Sequence, residues 1–286
     1  MVALCIVRED SASSANDETR PAVVPQRPVI WPGFWVGLWL GLVGVAAGVL
    51  IMLRYRKRFP AVTAYHDWLD SLGVPAQVRN LDHPLVMLAL ATAIIVLLPR
   101  ALRVQRPSLW KHPWSSLGFA ALSAVPMAIA CAVAGSVADA SGLVYGIFRG
   151  VAVAAFVEEL LFRGALVAIP VLLLGVRFWP AAIVSAVLFG LVHITWTSDA
   201  FASGWPEVLI TGAGGVFYAW IARAWGWSLW PVIWLHAFMN LSWLVFDVAS
   251  NATGGLVPNI GRGLTIAAAI ILTLRFSPAA KDRRSA

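Results

Sequence analysis

Eight apolar runs, separated by short polar or basic segments, dominate the chain, at approximately 31–53, 85–99, 117–135, 150–175, 180–195, 207–225, 230–248 and 260–276. A helix that crosses the hydrocarbon of a bilayer needs about 20 residues, with a usual range of about 17–25. The first, third, fourth, sixth and seventh runs meet that length. The eighth meets it if Arg262 stands at the interface. The second and fifth are short, so each must borrow flanking residues or re-enter from one side. Barrel strands are about ten residues long and alternate in polarity, whereas these runs are continuous. The pattern predicts an all-α fold, a polytopic membrane helix bundle of about eight transmembrane helices.

Composition closes off the other classes. Of 286 residues, 60% are apolar and 12% charged, and the mean hydropathy is +0.79. A soluble domain is about 45–50% apolar and about 25% charged. A soluble core of this length could not hide so much apolar surface, which excludes a soluble enzyme, a disordered chain and a disulfide scaffold. The net charge of +7 sits in short clusters such as Arg54, Arg56, Lys57 and Arg58. Such clusters suit anionic lipid headgroups, so the bilayer is the expected partner and nucleic acid is not. Many of the 15 tryptophans flank the runs, including Trp31, Trp110, Trp114, Trp179 and Trp230, as an interfacial belt would. Cys5 and Cys131 have no metal-ligand spacing and read as unpaired small residues.

The organisation expected is a mobile polar tail over 1–30, a single transmembrane domain over 31–276 and a basic tail over 277–286. No repeat is visible. Segment 60–84 reads as a loop or interfacial helix without chemistry. Gly33, Gly37 and Gly41 are spaced for close helix packing, and an intramolecular partner is expected. Eight spans put both termini on one side. Loop charges favour the cytoplasm for that side, but the 54–58 cluster opposes it.

Ionisable residues inside apolar runs are the informative ones, because each costs about 2.5–3.5 kcal/mol unless paired or wetted. Glu158 and Glu159 sit mid-run, and Arg163 follows. His193 and His236 also lie in apolar runs, with Asn240 one turn past His236. Glu159 and Arg163 are i, i+4 and can pair on one face. Glu158 is rotated by about 100° from Glu159, so one carboxylate is neutralised and the other is left for work. Phe189 and His193 share a face, as do His236 and Asn240. Three polar ridges on apolar helices should converge inside the bundle, since lipid exposure is too costly. A carboxylate beside an imidazole can position and activate water. A second imidazole and a carboxamide can donate hydrogen bonds to an oxyanion. Together these suit amide hydrolysis. No Gly-Xaa-Ser-Xaa-Gly element or His-Glu-x-x-His helix occurs in the runs.

The order Glu-Glu-x-x-x-Arg (158–163), Phe-x-x-x-His (189–193), His-x-x-x-Asn (236–240) resembles the CAAX-protease and bacteriocin-processing (CPBP) superfamily of intramembrane proteases, which includes the type II CAAX prenyl endopeptidase. The resemblance covers roughly 147–248, the motif core. It implies about eight transmembrane helices and a glutamic endopeptidase, although older descriptions call the family metalloproteases. On that pattern Glu158 is the general base, His193 orients the water, and His236 and Asn240 stabilise the oxyanion. Glu159, Arg163 and Phe189 are supporting. It further implies a membrane-associated protein or peptide substrate and an integral membrane location, with the bacterial plasma membrane expected.

No cofactor is expected. Zinc held by Glu158, His193 and His236 is the alternative. A proton-coupled transporter and a non-catalytic immunity or peptide-binding scaffold are the rival functions. Asp247 reads as a solvated helix end, Glu207 as a first-turn carboxylate favoured by the helix dipole, and Arg149 and Arg262 as interface anchors.

Overall fold

A computed structural model describes residues 32–54, 60–193, 204–249, 253–278 and 280. The 1–30 tail, Cys5 and residues 281–286 lie outside the described residues. Among the described residues, every regular element is helical. In chain order they are α1 (Pro32–Arg54), α2 (Pro60–Ser71), α3 (Ala76–Arg79), α4 (Asp82–Ala101), α5 (Pro113–Ala134), α6 (Leu143–Gly146), α7 (Ala154–Glu159), α8 (Phe178–His193), α9 (Trp205–Ala224), α10 (Trp230–Val245) and α11 (Leu256–Phe276). α6 and α7 belong to one continuous helix over 143–174. Its remaining turns, Ile147–Val153, Leu160–Ala168 and Pro170–Leu174, are π-helical, with the wider i→i+5 winding.

By length and composition, four segments can cross a membrane: Gly33–Ile51, Ala76–Ala101, Pro113–Ala134 and Leu256–Phe276; Phe178–His193 is apolar but shorter. The short second run does borrow polar flanks, starting its helix at Asp82 and running to Ala101. Segment 60–84 contains the helix α2, which buries no residue.

The 143–174 helix is the centre of the bundle. α1, α4, α8, α9 and α10 all pack on it, which is why every residue from Leu160 to Ala168 is buried. A helix apolar on all sides needs such a wrapping. Pro170 has no backbone N–H, so in α winding the carbonyl of Leu166 would lose its donor. The indole Nε1 of Trp39, on α1, donates to that carbonyl at 3.1 Å. Ser185 on α8 likewise donates to the carbonyl of Phe162 at 2.7 Å. Side chains of neighbouring helices thus satisfy carbonyls of the distorted central helix.

α8 and α9 pack closely because Gly190 lacks a side chain: a Cβ there would lie 2.6 Å from the Val208 carbonyl oxygen. The glycines of α1 behave otherwise. Gly33, Gly37, Gly41, Gly44 and Gly48 are exposed, and a Cβ at any of them would meet nothing within 4 Å. The expected intramolecular packing of this stripe is therefore corrected. α1 turns its buried Trp39, Ala46 and Leu50 inward instead, because those larger side chains gain more contact than bare backbone would.

Candidate active site

The adjacent glutamates end α7 on opposite sides of a dielectric boundary. The Glu158 side chain is 19% exposed and faces a cavity, whereas that of Glu159 is 0% exposed. The roughly 100° step between neighbours on a helix produces this division.

Glu159 is the dry partner. Its Oε1 lies 3.1 Å from Nη1 of Arg163, one turn on, and 2.8 Å from Nδ1 of His236 on α10. The Arg163 side chain is only 1% exposed, and its guanidinium stands 4.2 Å from the Phe189 ring centroid and 5.3 Å from that of Tyr218. A buried charge is tolerated only when paired. Here the pair is intrahelical, the rings are supplied by α8 and α9, and α10 adds a second hydrogen-bonding partner.

Both imidazoles are held by Nδ1. A carboxylate can only accept, so His236 Nδ1–H donates to Glu159. A carbonyl can only accept, so His193 Nδ1–H donates to Phe189 O at 2.7 Å. Each Nε2 then faces the other way. His193 Nε2 and His236 Nε2 each lie 3.9 Å from Glu158 Oε2. Phe189 supports both rings, with centroids 4.5 Å from His193 and 6.4 Å from His236. Asn240 Nδ2 donates to the carbonyl of Gly150 at 3.0 Å, which ties α10 to the central helix and leaves the second N–H of that amide.

Glu158, His193, His236 and Asn240 line one cavity of about 940 Å³. It is also lined by Glu207, Asp247 and Arg262, which sequence reasoning set aside as a helix-start carboxylate, a helix end and an interface anchor. Asp247 does lie just past the end of α10, in a left-handed conformation (φ 39°). Tyr218 was missed. It is a buried phenol on α9 whose hydroxyl lies 3.2 Å from Met239 Sδ and whose ring is 5.6 Å from that of His236. A tyrosine in an apolar run carries no period that marks it, whereas Arg262 had the signal of any charge within a span.

The residues that could approach a metal are Glu158, His193 and His236. Two ligand atoms of a tetrahedral zinc site stand about 3.3 Å apart. The 3.9 Å separations from Glu158 to each imidazole are wider than that. Among the described residues, no group of three or more His, Cys, Asp or Glu is arranged to hold a metal ion. A water molecule, with hydrogen bonds of about 2.8 Å, spans 3.9 Å at an angle close to a right angle.

Residues 140–242 match the family described as type II CAAX prenyl endopeptidase Rce1-like. That segment, about a third of the chain, is what resembles the CAAX-protease family. The matched segment starts before α6 and ends within α10, so it contains all three polar motifs. The matched family is one of proteases, and four helices of this chain are long and apolar enough to cross a membrane. No curated protein and no solved structure matches the chain.

Proposed function

We propose that the protein is an intramembrane endopeptidase of glutamic type, in which Glu158 activates water against a peptide bond without a metal ion. The observation that carries this reading is the convergence of the partly wetted Glu158 carboxylate with two imidazole Nε2 atoms, each at 3.9 Å. That spacing suits a bridging water.

In the first step, water held between Glu158 Oε2 and His193 Nε2 gives a proton to Glu158, and its oxygen attacks the scissile carbonyl carbon. The π pair of the carbonyl moves onto oxygen. Asn240, through its second N–H, and His236 stabilise that oxyanion. His236 can donate from Nε2 only as imidazolium, because Nδ1–H is already committed to Glu159. In the second step, the tetrahedral species collapses, the C–N bond breaks, and Glu158 returns its proton to the leaving amine. One water is consumed and two shorter peptides form.

The apolar part of the cavity wall lowers the local dielectric and strengthens each of these polar interactions. A general base of this kind contributes about 10²–10⁴-fold. Glu158→Gln keeps the shape and removes the base. Comparative peptidomics of cells carrying the wild type or Glu158→Gln is expected to show cleavage products lost with the variant while it still inserts and folds. Products that persist with Glu158→Gln would overturn the assigned role, and stoichiometric zinc lost together with activity on chelation would overturn the metal-free mechanism.

A further inference from the structure

Ala213 on α9 and Gly263 on α11 each line the cavity that holds Glu158, and each is also exposed on the outside of the bundle. A residue that does both stands at an opening in the wall. Gly214, beside Ala213, lines the cavity too. A Cβ at Gly214 or at Gly263 would meet nothing within 4 Å, so at this level the two helices border open space rather than each other. At about 1.5 Å per residue, Ala213 lies about 12 Å along α9 and Gly263 about 11 Å along α11. Gly263 is thus about two turns inside a membrane-length helix, which places the opening in the flank of the bundle and not at its end. Leu209, one turn before Ala213, is exposed, and so is Leu264, next to Gly263. Large exposed apolar side chains around a membrane-length helix belong against acyl chains.

The gap stays open because each bank is held from behind. α9 packs on α8, where the bare backbone of Gly190 admits the Val208 carbonyl. α11 packs on α5: a Cβ at Gly261 would run into that of Ala130, and the Met127 N–H donates to Thr265 Oγ1 at 3.1 Å. On its other flank α11 meets α10 through the Arg262 guanidinium, 4.8 Å from the Trp243 ring centroid, within cation–π range. The wall is therefore bridged from α11 to α5 and to α10, and open towards α9. Asp247, exposed and just past the end of α10, marks a second and polar mouth of the same cavity.

We propose that the gap between α9 and α11 is a side entrance, through which an apolar peptide segment already embedded in the bilayer reaches Glu158. That the entrant is a peptide rests on the endopeptidase reading above; that it comes from the side rests on the two banks and on the cost of the other route. A segment entering at the polar mouth must first leave the bilayer, and each large apolar side chain it brings into water costs about 1.5–3 kcal/mol. A segment entering between Gly214 and Gly263 keeps those side chains in hydrocarbon until it meets the cavity.

The test uses full-length Glu158→Gln in phosphatidylcholine vesicles, so that no peptide is consumed, and two photoreactive peptides. One is a membrane-spanning peptide of about 20 apolar residues with a diazirine-bearing leucine at its centre. The other is a short water-soluble peptide with the same leucine. After illumination, mass spectrometry maps the labelled residues. The embedded peptide is expected to label Phe217 or Ile266, which line the cavity on the two banks. Gly214→Trp and Gly263→Trp fill open space without a clash in the protein. Combined, they are expected to lower that labelling by about 10-fold or more, because a passing segment must push a tryptophan aside, and to leave labelling by the soluble peptide as it was. Gly118→Trp, at an equally open glycine of α5 outside the cavity lining, is expected to change neither. Three results overturn the side entrance: no cavity labelling by the embedded peptide, labelling that survives both tryptophans, or labelling by the two peptides that falls together. Failure of the endopeptidase reading shows separately, as wild type that cleaves no peptide while the embedded peptide still labels the cavity.

Discussion

Replacing Glu159 by glutamine removes the counter-charge of a guanidinium that is 1% exposed and leaves its volume in place. The Glu159–Arg163 separation is 3.1 Å. At an effective dielectric of about 20, Coulomb's law gives about 5 kcal/mol for two unit charges at that distance. Nη1 and Nη2 of Arg163 and Oε2 of Glu159 have no hydrogen-bond partner among the described residues, so the contact is chiefly an attraction between charges. Breaking one side of a buried pair costs about 3–5 kcal/mol, because the other charge is left uncompensated. Glu159→Gln is therefore expected to destabilise the fold by about 3–5 kcal/mol. Arg163→Met should cost less, since His236 can still donate to the remaining carboxylate. The double variant should be more stable than the sum of the two losses by at least about 2 kcal/mol, because it buries no orphan charge. The measurement is reversible denaturant unfolding in micelles followed by tryptophan fluorescence, with a double-mutant cycle. Losses that add within about 0.5 kcal/mol, or a Glu159→Gln cost below about 1 kcal/mol, would refute the ion-pair account.

Two further perturbations probe the frame around the site. Trp39→Phe removes the indole donor to Leu166 O, so a loss of about 0.5–1.5 kcal/mol is expected; an unchanged unfolding midpoint would contradict that role. Gly190→Val places a carbon where Val208 O already stands, so α8 and α9 must separate at a cost of about 1–3 kcal/mol. His193 lies three residues further along α8, so peptidase activity should fall as well, and activity equal to wild type would show that the two helices part without moving the imidazole.

The helical class and most run boundaries were legible because apolar length is a strong signal. The 180–195 run, for instance, begins its helix at Phe178. The i, i+4 rule also anticipated Glu159 with Arg163 and Phe189 beside His193, since both pairs are local to one helix. The bond from His236 to Glu159 crosses between helices, and no periodicity encodes which carboxylate of an adjacent pair an imidazole on another helix will meet. The α1 glycines misled for a related reason. Spacing shows that a helix could be approached closely, but not which side its neighbours occupy.

The two glutamates are one residue apart yet do opposite work, one wet and one sealed. This makes the length of the 143–174 helix as consequential as its letters. Deleting a single residue upstream of α7 would swing both carboxylates by about 100°. The cavity would lose its base and the sealed layer would receive an unmatched charge. The spacing between the first motif and the helix start is therefore itself part of the active site.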